Sequence, residues 1–423
     1  MTGKTMPLLD ARGRPRVAIT GVGMVTALGR DTAASWAGLV AGRSGVRPIL
    51  RFDASAMRSR IAACIDLPGD RPGRPLPCAV RVEALAAMAL QEALSQAGLA
   101  PPFPGPLCLG APPFELEWPD RAALAAAAGS PQPAALALAA AQRPELHAAH
   151  QFIAPAWRLA QRFGTRGVPQ VVTTACASGA SAIMLGVEAI RRGEAEAALV
   201  GGAEGSLTPE TLIRFSLLQA LSPRNEPPEA VSRPFTRSRD GFVMGDGAGA
   251  LVLENAAHAL ARGARILGFV HGVGECADTF HRTRSAPDGA AIIAAMRRAI
   301  EDAGLPLEAI GYINAHGTST PENDRMEAMA IRTLFGERPP PVSSTKSMIG
   351  HTLSAAGAIE AVVALLAVRE ALLPPTINQG GDTDPELGLD VVPDAARRVA
   401  PFPAALSNSF GFGGQNVCVV VGV

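Results

Sequence analysis

No two of the six cysteines stand in a CxxC spacing; Cys64, Cys78, Cys108, Cys176, Cys276 and Cys418 are scattered along the chain. Neither a zinc-binding spacing nor a disulfide framework is legible, and the pattern suits a reducing cytosol. Charge of neither sign is in excess, because Lys plus Arg and Asp plus Glu both number 38. No global field would draw the chain to nucleic acid or to anionic lipid. Long hydrophobic runs are missing as well. The opening MTGKTMPLLDARGRPRV holds no apolar stretch long enough for a signal peptide. The longest later candidate, AVVALLAV after Glu360, is shorter than a membrane span and reads as a buried helix. The expectation is a cytoplasmic protein without membrane segments.

What is present is a large apolar fraction: 48% of 423 residues are hydrophobic and 18% charged, with 44 Gly and 36 Pro. That composition builds a substantial core cut by tight turns, and the length exceeds what one core usually organises. Two halves are expected, and the chain repeats itself accordingly. VAITGVGMVTALG from Val17 and ILGFVHGVGECAD from Ile266 both read as buried strands entering glycine-rich turns. EALAAMALQEALSQAGL from Glu83 and AIIAAMRRAIEDAGL from Ala291 both read as helices that end in AGL, with Gly98 and Gly304 as left-handed caps. Each half then runs an apolar strand into a small-residue turn and a long helix, and closes on a glycine-rich turn and a strand, GDGAGALVLE and GFGGQNVCVVVG.

This punctuation predicts an extension over 1–15, one half over 16–254 and a second over 265–423. Residues 66–165, with PGDRPGRPLP and the alanine-rich AALAAAAGSPQPAALALAAAQ, fit the repeat least and read as a cap insertion. Continuous apolar strands alternating with helices imply an α/β fold with mostly parallel pairing. GDGAGAL and GFGG each precede a strand rather than a helix, so neither reads as a nucleotide cradle.

Cys176 stands in TTACASG, after a strand and at the start of a helical pattern. Its sulfur would face the positive end of the helix dipole, which favours thiolate, and its own backbone N–H would face an oxyanion. A lone cysteine is more often a small packed residue, and a lone histidine more often structural than catalytic. The neighbouring segments change that reading. TTACASG, NAHGTSTPENDRMEA, SSTKSMIGHTLSAAGAIE and SNSFGFGGQN follow one another in the order of the elongating β-ketoacyl-acyl carrier protein synthases, type II-like members of the thiolase superfamily, and the chain resembles that family over nearly all of residues 16–423.

The resemblance implies the thiolase fold, two duplicated βαβαβ-type halves in a layered αβαβα body. It implies a decarboxylative Claisen condensation: Cys176 takes an acyl chain as a thioester, and malonyl-acyl carrier protein then loses carbon dioxide and attacks it, giving a 3-oxoacyl product. By the same resemblance His316 and His351 stabilise the enolate, and Lys346 organises charge around the site. Glu360, Asp324 and Glu327 would join Lys346 in a buried network, since any of these charges alone would be costly. Thr318 and Thr320 are implied as pantetheine contacts, Phe410 and Phe412 as a gate with the Phe412 N–H completing an oxyanion hole, and His281 and Thr283 as pocket residues.

The chain departs from the family pattern at Arg282, where an apolar residue is usual, and at Gln415, where threonine is usual. No cofactor and no metal is implied, because the substrates travel on the carrier's phosphopantetheine. The implied partners are acyl carrier protein, the two thioester substrates and a second copy in a homodimer, or another ketosynthase in a heterodimer. A non-catalytic chain-length-factor-like partner is the reading from a different class, and retention of Cys176, His316, Lys346 and His351 argues against it.

Overall fold

The computed structural model describes residues 7–71, 73, 75–129 and 132–423. The first six residues of the expected extension, and residues 72, 74, 130 and 131 of the expected insertion, lie outside the described residues.

Ten strands hydrogen-bond into one continuous sheet. In chain order they are β1 (Val17–Val25), β2 (Leu107–Gly110), β3 (Gln170–Val172), β4 (Ala197–Glu204) and β5 (Gly247–Asn255), then β6 (Gly268–Ala277), β7 (Ile310–Asn314), β8 (Val342–Ser343), β9 (Ala404–Phe410) and β10 (Gln415–Gly422). Their order across the sheet is β8-β7-β9-β10-β6-β1-β5-β4-β2-β3. Raising each label of β1-β5-β4-β2-β3 by five gives β6-β10-β9-β7-β8, so one strand motif occurs twice, joined back to back where β1 meets β6.

Pairing is mixed rather than mostly parallel. β2 runs parallel to β3 and β4, and β7 to β8 and β9, while β1, β5, β6 and β10 pair antiparallel with their neighbours. The reason is local at β9 and β10, where the short Gly411–Gly414 turn can only return the chain antiparallel, whereas parallel neighbours need a long crossover. Helices cover both faces of the sheet, so its strands are apolar throughout whichever way they run.

Five long helices supply that cover: α1 (Cys78–Gln96), α2 (Ser178–Arg191), α3 (Ala290–Ala303), α4 (Pro321–Phe335) and α5 (Ala356–Glu370). α1 packs on β1, β4 and β5, and α3 on β6 and β10, with α4 against α3. Between the two halves of the sheet lie α2 and α5, in contact with each other, α5 touching both β5 and β9. The result is an αβαβα stack. AVVALLAV lies in α5, buried on nearly every side, and the segments ending in AGL are capped as expected, Gly98 at φ +66° and Gly304 at φ +65°.

Part of the expected insertion belongs to this stack, since α1 and β2 both fall within 66–165. The helices that protrude are Trp118–Ala128, Pro133–Ala141 and Pro144–Ala149. The start of α1 is tied down by buried charge: Asp246 accepts from both Arg51 and Arg81, the latter at 3.0 Å, and Arg81 also pairs with Asp70. Among the described residues, no helix is long and apolar enough to cross a membrane.

α2 and α5 cross on glycine. A Cβ at Gly179 would lie 2.6 Å from the Ala358 nitrogen, and one at Gly357 would lie 2.5 Å from the Ala180 nitrogen. Only backbone without side chains fits there. Gly357→Ala should therefore lose about 1–3 kcal/mol of unfolding free energy, the usual range for overpacking a tight core. Chemical denaturation would measure it, and an unchanged midpoint with unchanged slope would contradict the close approach.

Candidate active site

The glycine crossing brings together two turns of the same design. After β3 the chain reaches Ala175 at φ +49°, makes a single 3₁₀ turn over Ala175–Ala177 and enters α2; after His351 it reaches Leu353 at φ +37°, makes a 3₁₀ turn over Leu353–Ala355 and enters α5. Positive φ is uncommon for residues with a Cβ. At the first turn it is held by Ser178, whose hydroxyl donates to the Ala175 carbonyl at 2.6 Å and accepts the Thr174 N–H at 2.9 Å. Cys176 sits at the tip of that turn.

His351 is fixed by its backbone. Its N–H donates to the Val243 carbonyl at 2.6 Å, and its carbonyl accepts the Gly245 N–H at 3.0 Å, so the glycine-rich segment before β5 serves as its clamp. The imidazole packs edge-on against Phe242, with centroids 5.2 Å apart, and its Nε2 lies 3.1 Å from the Cys176 Sγ. His316 follows β7 and is fixed from α4: Glu327 accepts the N–H of His316 at 2.9 Å and of Gly317 at 2.8 Å. Asn408 in turn donates to Glu327 at 3.0 Å. The two imidazoles stand at 84° with centroids 5.3 Å apart, and the sulfur and one nitrogen from each ring all lie within 4.8 Å of one another.

All three side chains are buried at the floor of a cavity of about 490 Å³. Thr318, Thr320, Phe410, Phe412, His281 and Thr283 line the same cavity, as does Arg282. The Thr318 and Thr320 hydroxyls are 2.9 Å apart, and His281 Nδ1 accepts the Thr283 N–H at 3.2 Å. Phe410 packs 5.6 Å from His316, and the Phe412 N–H is directed at the Cys176 sulfur. The Arg282 carbonyl accepts the Gly413 N–H at 2.7 Å, which ties the two loops at the cavity mouth together. Gln415 opens β10, its carbonyl accepting the Gly411 N–H at 2.7 Å.

The expected charge network divides into separate parts. Lys346 pairs with Glu360, both buried. Asp324 instead accepts the N–H groups of Phe235 at 2.8 Å and Ser319 at 3.2 Å, shaping the turn that carries Thr318, and Glu327 serves His316. Burial pushes the carboxyls of Glu360, Glu327 and Asp324 up, with Lys346 opposing the shift at Glu360. It drives both imidazoles well below their ordinary range, Lys346 adding to the effect, so they are neutral.

Cys176 departs from expectation. The helix start was expected to favour thiolate, but burial pushes the thiol up to about 12, outweighing Lys346 and the Phe412 N–H. The sulfur therefore rests protonated, with His351 Nε2 beside it. Sequence reasoning also passed over Phe242, Asn408 and Glu204. Asn408 lies inside the quoted SNSFGFGG, and Phe242 stands three residues before GDGAGAL, outside it. Buried Glu204 accepts the Ser354 N–H at 3.2 Å, bracing the start of α5, and nothing in the sequence around it marks that role.

Comparison with known proteins agrees with this geometry. Residues 14–259 match the sequence model described as beta-ketoacyl synthase, N-terminal domain, and residues 267–380 match beta-ketoacyl synthase, C-terminal domain. A 3-oxoacyl-[acyl-carrier-protein] synthase 2 of Vibrio cholerae is 36% identical over 95% of this chain and 97% of its own. The solved ishigamide ketosynthase/chain length factor superposes with a TM-score of 0.83 at 36% identity, covering 97% of this chain and 99% of that one. A type II polyketide synthase acyl-carrier protein in complex with its ketosynthase bound to the hexaketide gives a TM-score of 0.83 at 30% identity, over 97% and 100% of the two chains. With the duplicated fold and the converging Cys-His-His set, these matches establish that the chain belongs to the β-ketoacyl synthase family.

Proposed function

We propose that the chain condenses an acyl group held on Cys176 with malonyl-acyl carrier protein, releasing carbon dioxide and 3-oxoacyl-acyl carrier protein. The observation that carries this reading is the convergence of one thiol and two neutral imidazoles on one buried cavity floor. In the first step the Cys176 sulfur attacks the acyl thioester, its proton passes to His351 Nε2, and the departing carrier thiol takes that proton. In the second, His316 and His351 donate hydrogen bonds to the malonyl thioester carbonyl and stabilise the enolate as carbon dioxide leaves. The enolate carbon then attacks the Cys176 thioester carbonyl, with the Cys176 and Phe412 N–H groups holding the oxyanion until the C–S bond breaks, which releases the 3-oxoacyl product and a Cys176 thiolate that takes up a proton from solvent. Burial keeps the imidazoles uncharged, with Lys346, paired with Glu360, adding to the effect, while Glu327 and Asp324 position His316 and the Thr318 turn.

Thr318 and Thr320 are assigned to the amides of the pantetheine arm, His281 and Thr283 to the cavity entrance, and Phe410 and Phe412 to the gate between the acyl and malonyl sites. The substrates arrive on a carrier, so the reaction calls for no free cofactor. The solved carrier-protein complex of a relative supports acyl carrier protein as the partner. We assign the chain to a homodimer with a half boundary between residues 255 and 265. A heterodimer is the second reading, favoured by the likeness to a ketosynthase/chain length factor. Condensation by the purified chain alone would support the first; activity only with a second synthase, the other.

Cys176→Ala should abolish condensation of acyl- and malonyl-carrier protein, read by mass spectrometry of the product; full activity in that variant would sink the assignment. His316→Ala and His351→Ala should each lower malonyl decarboxylation by roughly a hundred- to a thousandfold, the range for losing one oxyanion donor. Wild-type rates in both would contradict the enolate role. Because burial holds the Cys176 thiol protonated, its alkylation by iodoacetamide should still be accelerating above the ordinary thiol range of about pH 8.5, where each rise in pH adds thiolate. A plateau below that pH would refute the raised thiol.

A further inference from the structure

The three groups that meet on the cavity floor are also a ligand set. Cys176, His316 and His351 are 7%, 3% and 2% exposed, and their sulfur and ring nitrogens lie within 4.8 Å of one another. Four-coordinate zinc binds thiolate at about 2.3 Å and imidazole at about 2.0–2.1 Å, so tetrahedral donors stand roughly 3.3–3.6 Å apart. The Cys176 Sγ and His351 Nε2 are already 3.1 Å apart, and a His316 ring nitrogen lies within 4.8 Å of both. The cavity supplies both an entry path and a fourth coordination position.

We propose that Cys176, His316 and His351 form a reversible inhibitory site for a soft divalent cation, Zn²⁺. On binding, the Cys176 S–H bond breaks and an S–Zn bond forms; the proton leaves to solvent through the cavity, and no electron is transferred. Sulfur and imidazole donors without a carboxylate select zinc over magnesium or calcium. Lys346, the buried cation that acts on both imidazoles, is paired with Glu360.

The surroundings make this an inhibitor's site rather than that of a resident ion. Ligating histidines ordinarily donate their other ring N–H to a carboxylate or carbonyl, and losing such partners typically costs about 10–100-fold in affinity. Here neither His316 Nδ1 nor His351 Nδ1 has a hydrogen-bond partner among the described residues. The linear spacing of Cys176, His316 and His351 gives no metal signature, because the fold assembles the set from three distant turns. Inhibition rests on the proposed role of Cys176 as nucleophile, whereas metal binding does not.

The test is a titration of the purified, chelator-treated protein with Co²⁺, a spectroscopic stand-in for zinc. The expected result is a near-ultraviolet thiolate-to-cobalt band, displaced by Zn²⁺ and untouched by excess Mg²⁺. The band should be absent in Cys176→Ser and in wild-type protein alkylated at Cys176, which keeps the native chain. It should need at least about tenfold more Co²⁺ in His316→Gln and His351→Gln. Zn²⁺ should stop condensation, and a chelator should restore it. A protein that condenses normally yet shows no thiolate band would overturn the metal site and leave the proposed function standing. A band kept after alkylation, or at unchanged affinity in both histidine variants, would also overturn it.

Discussion

Two helix backbones can touch only where neither carries a side chain, and the rest of the molecule is arranged around one such contact. Gly179 in α2 and Gly357 in α5 let the central helices meet at backbone distance. Each helix begins at a 3₁₀ turn with one residue forced to positive φ, and the two turns carry Cys176 on one side and follow His351 on the other. The 3.1 Å separation of sulfur and imidazole follows from where the helices cross. The third group, His316, comes from a different strand end and is held to the same point by Glu327, which is itself held by Asn408. The strand motif thus occurs on both sides of the central layer, and of the two matching turns one carries Cys176 and the other follows His351.

Burial sets the electrostatic character of the site. A thiol and two imidazoles withdrawn from water are all neutral, and the buried Lys346 carries its carboxylate with it. Neutral imidazoles can donate to a forming enolate without attracting the malonyl carboxylate, which has to leave. Buried on the cavity floor, those two donors act at a lower dielectric than in water, where they are worth more. The same neutral, soft donor set is what a zinc ion would recognise, so susceptibility to metal follows from the features that suit the site to carbon–carbon bond formation.

The layered fold was legible because its signals are local: β-branched runs, helices ending in AGL, and glycine turns that repeat at matching places in the two halves. Strand direction was not, since a strand covered on both faces carries the same apolar run in either orientation. Within 66–165, proline-rich loops flank α1 and β2 and mask their place in the stack. At the site, Cys176, His316 and His351 were recoverable from motifs. The resting charge of Cys176 was not: the helix start that argues for thiolate is visible in sequence, while the burial that outweighs it is a property of the assembled core. Glu204 and Ser354 meet across 150 positions of chain, a contact no local pattern announces.

In the proposed reaction one sulfur, that of Cys176, carries the acyl chain from the first step to the last. Its most direct test is a single-turnover experiment in which the protein is charged with acyl-carrier protein, digested and mapped by mass spectrometry before and after malonyl-carrier protein is added. An acyl thioester should stand on the peptide containing Cys176 and disappear as one carbon dioxide and one 3-oxoacyl product form per site. An acyl group on any other residue, or product formed while the Cys176 peptide stays unmodified, would contradict it.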